Sequence, residues 1–123
     1  MTKLLLPLAA VLFFFALTAP VVHAHSHLEA SDPAVNASVA SSPKAIRLTF
    51  SMPVETKFST IRLLGGDGKV IETAPASLDP ENPKSLVLQL AQPLAPGEYR
   101  VEWHVVAGDS HPMDGGYAFR IKQ

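Results

Sequence analysis

The chain has no cysteine among its 123 residues. Disulfides, thiolate metal sites and thiol nucleophiles are therefore excluded, and stability must come from packing alone. Aromatic residues are also scarce, with one tryptophan and two tyrosines, and no aromatic run offers a platform for a glycan. Neither sign of charge is in clear excess. Ten basic residues stand against eleven acidic ones, for a formal net charge of −1, and loss of Lys3 with a cleaved leader would make it one unit more negative. Such a chain has no electrostatic grip on nucleic acid or an anionic membrane. No stretch shows the periodicity of a helix longer than a turn or two.

Long apolar runs are missing except at the start. Met1-Thr2-Lys3 is a short positive region, and residues 4–17 are apolar apart from Pro7. Val22 and Ala24 are the small residues a signal peptidase selects before its cut. A cut after Ala19 is disfavoured because Pro20 would follow. The run is short for a membrane span, which takes about 20 residues. Residues 1–24 are thus expected to be a secretory signal peptide, and residues 25–123 one exported β domain with no membrane insertion.

That domain reads as strands. Leu28-Glu29-Ala30-Ser31 precedes Asp32-Pro33 and suits an edge. Ile46, Leu48 and Phe50 alternate with polar neighbours. Residues 36–43 are small and polar, as a loop would be. Phe58 to Leu64 and Lys69 to Glu72 flank the turn Gly65-Gly66-Asp67-Gly68, which predicts a hairpin. Pro75, Pro80 and Pro83 predict an irregular loop from Thr73 to Lys84. Leu86, Leu88 and Leu90 alternate in the next strand. Tyr99, Val101, Trp103 and Val105 share one face of the clearest strand, entered through Pro96-Gly97 in the manner of a tyrosine corner. After a loop over residues 108–116, Tyr117, Phe119 and Ile121 alternate in the last strand. The fold class is all-β: a Greek-key sandwich or barrel of about seven strands.

Four histidines survive cleavage: His25, His27, His104 and His111. Cleavage after Ala24 gives His25 a free α-amine beside its imidazole, a two-nitrogen chelate in one residue. Asp109-Ser110-His111 adds a carboxylate and an imidazole, which share a face if the segment is extended. Three nitrogens and one oxygen form the tetragonal set Cu(II) prefers, with Ni(II) an alternative. The blander reading is a solvated turn, with Asp109 capping its own loop and His111 exposed. His27 offers a rival: an amine, two deprotonated amides and a third-position histidine chelate Cu(II) locally. His104 lies on the polar face of its strand and is expected in solvent.

Several blocks in order are similar to the CopC family of copper-binding proteins. They are His25-Ser26-His27-Leu28 with Ser31 and Pro33, then Ile46-Arg47-Leu48-Thr49-Phe50-Ser51. Further on come Pro96-Gly97-Glu98-Tyr99-Arg100-Val101-Glu102-Trp103 and Asp109-Ser110-His111-Pro112 with Gly115. The likeness spans nearly all of residues 25–123. It implies a cupredoxin-like Greek-key β-barrel and one Cu(II) held by His25, Asp109 and His111. It further implies copper carriage or buffering in the periplasm, in copper homeostasis and resistance, beside an inner-membrane copper transporter of the CopD type.

Two departures follow. The mature chain has only Met52 and Met113, read as gap-filling side chains, so no strong Cu(I) site is expected. Met52 also stands where the family often has an acidic residue, leaving its role to another group such as Glu55. Two other readings remain from different classes. An amino-terminal histidine with a second histidine also makes the copper brace of oxidative monooxygenases, which needs an open coordination position. A metal-free sandwich used for protein contacts is the third. No serine beside a base suggests nucleophilic catalysis, and the expectation is a binding protein, not an enzyme.

Overall fold

The structure, a computed structural model, describes residues 26–108 and 110–123. The expected leader, His25 and Asp109 lie outside the described residues. In chain order the strands are β1 (Leu28–Asp32), β2 (Ser38–Val39), β3 (Ala45–Phe50), β4 (Thr60–Gly65) and β5 (Val70–Ile71). They continue with β6 (Ser77–Asp79), β7 (Asn82–Gln89), β8 (Gly97–Val106) and β9 (Pro112–Ile121). A single 3-10 turn, Thr56–Phe58, is the only helical element among the described residues.

The strands form two sheets, ordered β1-β3-β7-β6 and β2-β9-β8-β4-β5. The chain passes from one sheet to the other after β1, β2, β3, β5 and β7, as a Greek-key sandwich does. Two open sheets face each other, so the architecture is a sandwich and not a closed barrel.

Alternation along the strands builds the core. Ile46, Leu48 and Phe50 of β3 are fully buried, as are Leu63 of β4, Leu86 and Leu88 of β7, and Val101 and Val105 of β8. Each such side chain contributes about 1.5–3 kcal/mol by leaving water. Ser85 is also fully buried, and its hydroxyl is satisfied by Thr49 Oγ1 at 2.7 Å. The tyrosine corner is present: Tyr99 donates its hydroxyl hydrogen to the Ala95 carbonyl at 2.5 Å, and its ring stacks on Phe119.

Four expectations need correction. Residues 36–43 contain β2, a two-residue strand that runs parallel to the end of β9. The proline-rich stretch from Thr73 to Lys84 holds β6 and the start of β7. Pro80 sits in the turn between them, and Pro83 falls near the strand's beginning, where a missing N–H is tolerated. Asp79 and Asn82 close that turn, accepting from the Glu81 and Lys84 amides. Phe58 lies in the 3-10 turn and not in β4, which starts at Thr60.

The fourth correction concerns β9, which begins at Pro112, five residues before Tyr117. Its glycine pair hides the alternation, because each glycine is there to let a β8 side chain lie across it. A Cβ on Gly115 would stand 2.3 Å from Trp103 Cζ2, and one on Gly116 would stand 2.7 Å from an Arg100 guanidinium nitrogen. Trp103 lies over the strand on the core side, against Phe50 and Tyr117. Arg100 covers it from the solvent side.

Candidate metal centre

The two ends of the chain expected to carry ligands meet a single connection. Residues 51–54 lead out of β3 towards the 3-10 turn. At the first of them, the Ser51 amide donates to the His27 carbonyl at 2.9 Å, and Ser51 Oγ accepts from the His27 amide at 2.9 Å. At the other end, Val54 forms a β-bridge with Ala107, and the Gly108 amide donates to the Pro53 carbonyl at 3.0 Å. The Glu55 amide continues the contact to the Val106 carbonyl. The neighbours of both His25 and Asp109 are thus pinned to one four-residue segment. Met52 belongs to it, with its terminal methyl Cε 4.0 Å from where a Gly108 Cβ would stand.

Ser110, the middle residue of Asp-x-His, is not in an extended conformation. The Ser110 amide donates to the Ala107 carbonyl at 2.9 Å, and Ser110 has φ 61°, in the left-handed region. The reason is the β8–β9 hairpin: a short antiparallel connection closes with a turn and a left-handed residue. His111 is exposed and stands immediately before β9.

His27 is exposed at the mouth of β1, with its Nε2 4.0 Å from Glu29 Oε1. Glu29 is the extra residue of a bulge, since Leu28 pairs with Phe50 and Ala30 with Thr49. Bulges of this kind re-aim a strand's end. The His27 amide is held by Ser51, so a local chelate would have to break that bond and deprotonate the nitrogen.

His104 is exposed on the polar face of β8, as expected, and its Nδ1 lies 2.7 Å from Asp114 Oδ1 on β9. That partner was not legible, because it depends on the register of β9. Glu55 is exposed, and its carboxylate takes part in no hydrogen bond or ion pair among the described residues. Among the described residues, no three His, Asp or Glu side chains gather as a metal-holding group.

Two residues near the site were missed by sequence reasoning. Ser51 was read only as part of a block, yet it fixes the start of β1. Ser26 is only 8% exposed, and its hydroxyl oxygen is buried without a hydrogen-bond partner among the described residues. Burying such a group unpaired costs about 1–3 kcal/mol. No periodic signal could have marked either serine, since one follows the last residue of β3 and the other precedes the first strand.

Tyr117 ties β9 to the chain beyond β1. Its hydroxyl donates to the Pro33 carbonyl at 2.7 Å, and burial pushes its pKa up to about 12. Elsewhere Arg62 bonds Glu102 at 2.6 Å and lowers the carboxyl pKa. The Glu81 amide, and then Arg47, lower that of Asp79.

The frame is an all-β sandwich in which the start of β1 and the β8–β9 hairpin are both bonded to residues 51–54. The chain belongs to the CopC domain family, whose match covers residues 28–122. It is 44% identical over 107 residues to "Protein YobA" of Escherichia coli (strain K12), covering 87% of this chain and 86% of that one. The crystal structure of CopC from Methylosinus trichosporium OB3b is similar with a TM-score of 0.74 and 35% identity, over 80% of this chain and 94% of that one. PcoC, a methionine rich copper resistance protein from Escherichia coli, aligns with a TM-score of 0.67 and 37% identity, over 80% of this chain and 100% of that one.

Proposed function

We propose that the chain, cut after Ala24 during export to the periplasm, carries or buffers one Cu(II) ion. The ligands are the α-amine and imidazole of His25 with the side chains of Asp109 and His111. The observation that carries this reading is the double attachment of residues 51–54. The start of β1 and the β8–β9 hairpin grip opposite ends of one short segment, so the neighbours of the proposed ligands share a rigid support.

The chemistry of the donors fits the cargo. Three nitrogens and an oxygen suit tetragonal Cu(II). The α-amine exists only after cleavage, so the precursor lacks one donor and export completes the set. A metal held between the two sheets crosslinks them, and binding to the folded state alone raises stability by mass action. The kinship to a copper resistance protein supports copper as the metal. The His27 amide bond to Ser51 weighs against the local chelate.

Soft donors are few. Against the methionine-rich relative, this mature chain offers Met52 and Met113, and Met113 packs on the core. A strong Cu(I) site is accordingly not part of the proposal. Copper passes on to an inner-membrane transporter of the CopD type, and the chain itself performs no redox turnover. Among the described residues, no helix is long and apolar enough to cross a membrane.

The test is Cu(II) titration of the exported, cleaved protein and of two variants. His111→Ala should weaken binding about a hundredfold, equivalent to about 2.7 kcal/mol, while His27→Ala should leave it nearly unchanged. The reverse order would establish the local chelate instead.

A further inference from the structure

The β4–β5 hairpin leaves part of a sheet edge open. Strand β4 pairs with β8 from Thr60 to Gly65, but β5 meets it only at Leu63 and Leu64. On the β5 side the Gly65 amide donates to the Lys69 carbonyl at 3.0 Å. Along an antiparallel strand, alternate residues turn their backbone groups to opposite neighbours. Gly65, Leu63 and Ile61 therefore face β5, and at Ile61 that strand has already ended. The register would set Thr73 opposite Ile61. Residues 72–76 belong to no strand, however, and they include Pro75, which has no N–H to give. Among the described residues no backbone hydrogen bond joins this strap to Ile61. A cleft of about 380 Å³ lies between residues 59–62 and the strap, with Val70 and Ile71 in its lining. Exposed apolar side chains stand at both ends. Val70 is 53% exposed at one, and Phe58, 62% exposed, adjoins Ser59 at the other. Phe58 is held there by a locked turn: its amide donates to the Glu55 carbonyl, and Ser59 Oγ accepts from the Val106 amide at 3.0 Å.

We propose that this edge takes an apolar segment of a partner protein in extended conformation, which adds an antiparallel strand beside β4. The inference is independent of the copper reading. The occupant is a strand because Ile61 offers one backbone donor and one acceptor on the same side, which a peptide main chain matches. Residues directly opposite in antiparallel strands share a face. The residue facing Ile61 therefore points inwards, towards Ile71 and Ala76, which pack on the core, and it is apolar. Its two neighbours lie on the solvent face beside Thr60 and Arg62. Charge sets no preference, since Arg62 and Glu72 line the cleft with opposite signs and Arg62 is already bonded to Glu102. The cleft is at the small end of ligand pockets, about 300–1,000 Å³. It has room for one short segment between its two walls, whereas a second copy would have to bring a whole sheet edge past the strap.

The experiment follows backbone amide exchange by NMR, with a blocked pentapeptide of alternating valine and threonine, valine at its centre, as the probe. In the free protein the Ile61 amide should exchange about tenfold faster than that of Arg62, which faces β8. Millimolar peptide should slow Ile61 about tenfold and leave Arg62 unchanged. Methylating the nitrogen of the central valine should weaken binding about tenfold, because one main-chain bond is lost. Ala74→Glu, at an exposed position of the strap, should abolish binding with an unchanged melting temperature. An Ile61 amide already as slow as Arg62 in dilute free protein would overturn the inference, since the edge would be closed. Equal binding by the methylated peptide would overturn it too, as would no binding at millimolar peptide. Protection of Ile61 that grows with protein concentration alone would give the edge to a second copy and overturn the assignment to a partner.

Discussion

His27 and Ser51 hold each other twice: the Ser51 amide donates to the His27 carbonyl, and the His27 amide donates to Ser51 Oγ, each at 2.9 Å. The second bond has a consequence for copper. It occupies the nitrogen that a local chelate would need, and it keeps the residue after Ser26 in register with β3. An amino terminus made by the proposed cleavage after Ala24 would therefore start two residues from a fixed point.

Ser51→Ala should release that point. Net stability should fall by about 1 kcal/mol, the usual worth of one hydrogen bond. Cu(II) affinity should fall with it, and the visible spectrum should move towards that of a free His-Ser-His peptide as the His27 amide becomes available. Chemical denaturation and absorption titration on one sample check both effects.

Gly115 is predicted to be intolerant of any side chain. The site of its Cβ is 2.3 Å from the Trp103 ring, and that ring cannot retreat because Phe50 and Tyr117 back it. Gly115→Ala should cost about 1–3 kcal/mol by overpacking. Trp103 is the only tryptophan in the chain, so its fluorescence maximum reports the displacement directly.

Much of this architecture was legible in the residues, and the exceptions have physical causes. Strict alternation in β3 and β8 identified the core faces, because side chains of a strand point alternately to opposite sides. The early half of β9 was not legible, since Gly115 and Gly116 carry no side chain to alternate. Its hidden start is also why the Asp114 partner of His104 escaped notice. The β6–β7 hairpin was masked by Pro80 and Pro83, which suit a turn and a strand's first residues as well as they suit a loop. The proposal of His25, Asp109 and His111 as ligands rests on their chemistry and on the resemblance to the family. The support beneath them was not legible, because the Ser51–His27 pair joins residues 24 positions apart, with no local pattern to mark it.

Acid should act on this protein in two stages. In the proposed site Cu(II) binding requires a deprotonated α-amine, whose reference pKa is about 7.7–8.0. Affinity should therefore decline as pH falls through and below that range. The fold itself responds lower down. Asp79 and Glu102 have folded pKa values below their unfolded ones, so their contribution is present above the unfolded values and lost as pH falls through the folded ones. Melting of the metal-free protein should be flat near neutrality and decline only below the ordinary carboxylate range. Glu102→Gln should flatten part of that decline.

Tyr117→Phe removes the hydroxyl that reaches the Pro33 carbonyl. With the acceptor left partly unpaired, the loss should be about 1–3 kcal/mol. Because this bond joins β9 to the segment after β1, hydrogen exchange should accelerate in β1 before it does in β3 or β8.

The most direct test of the central claim compares two forms of one protein: the form beginning at His25 and a form that retains Ala24. They differ by one small residue and by where the α-amine sits. The account predicts that keeping Ala24 weakens Cu(II) binding about a hundredfold, equivalent to about 2.7 kcal/mol, with the metal-free melting temperature unchanged. Equal affinity in the two forms would contradict it, because copper would then be held without the amine that cleavage creates.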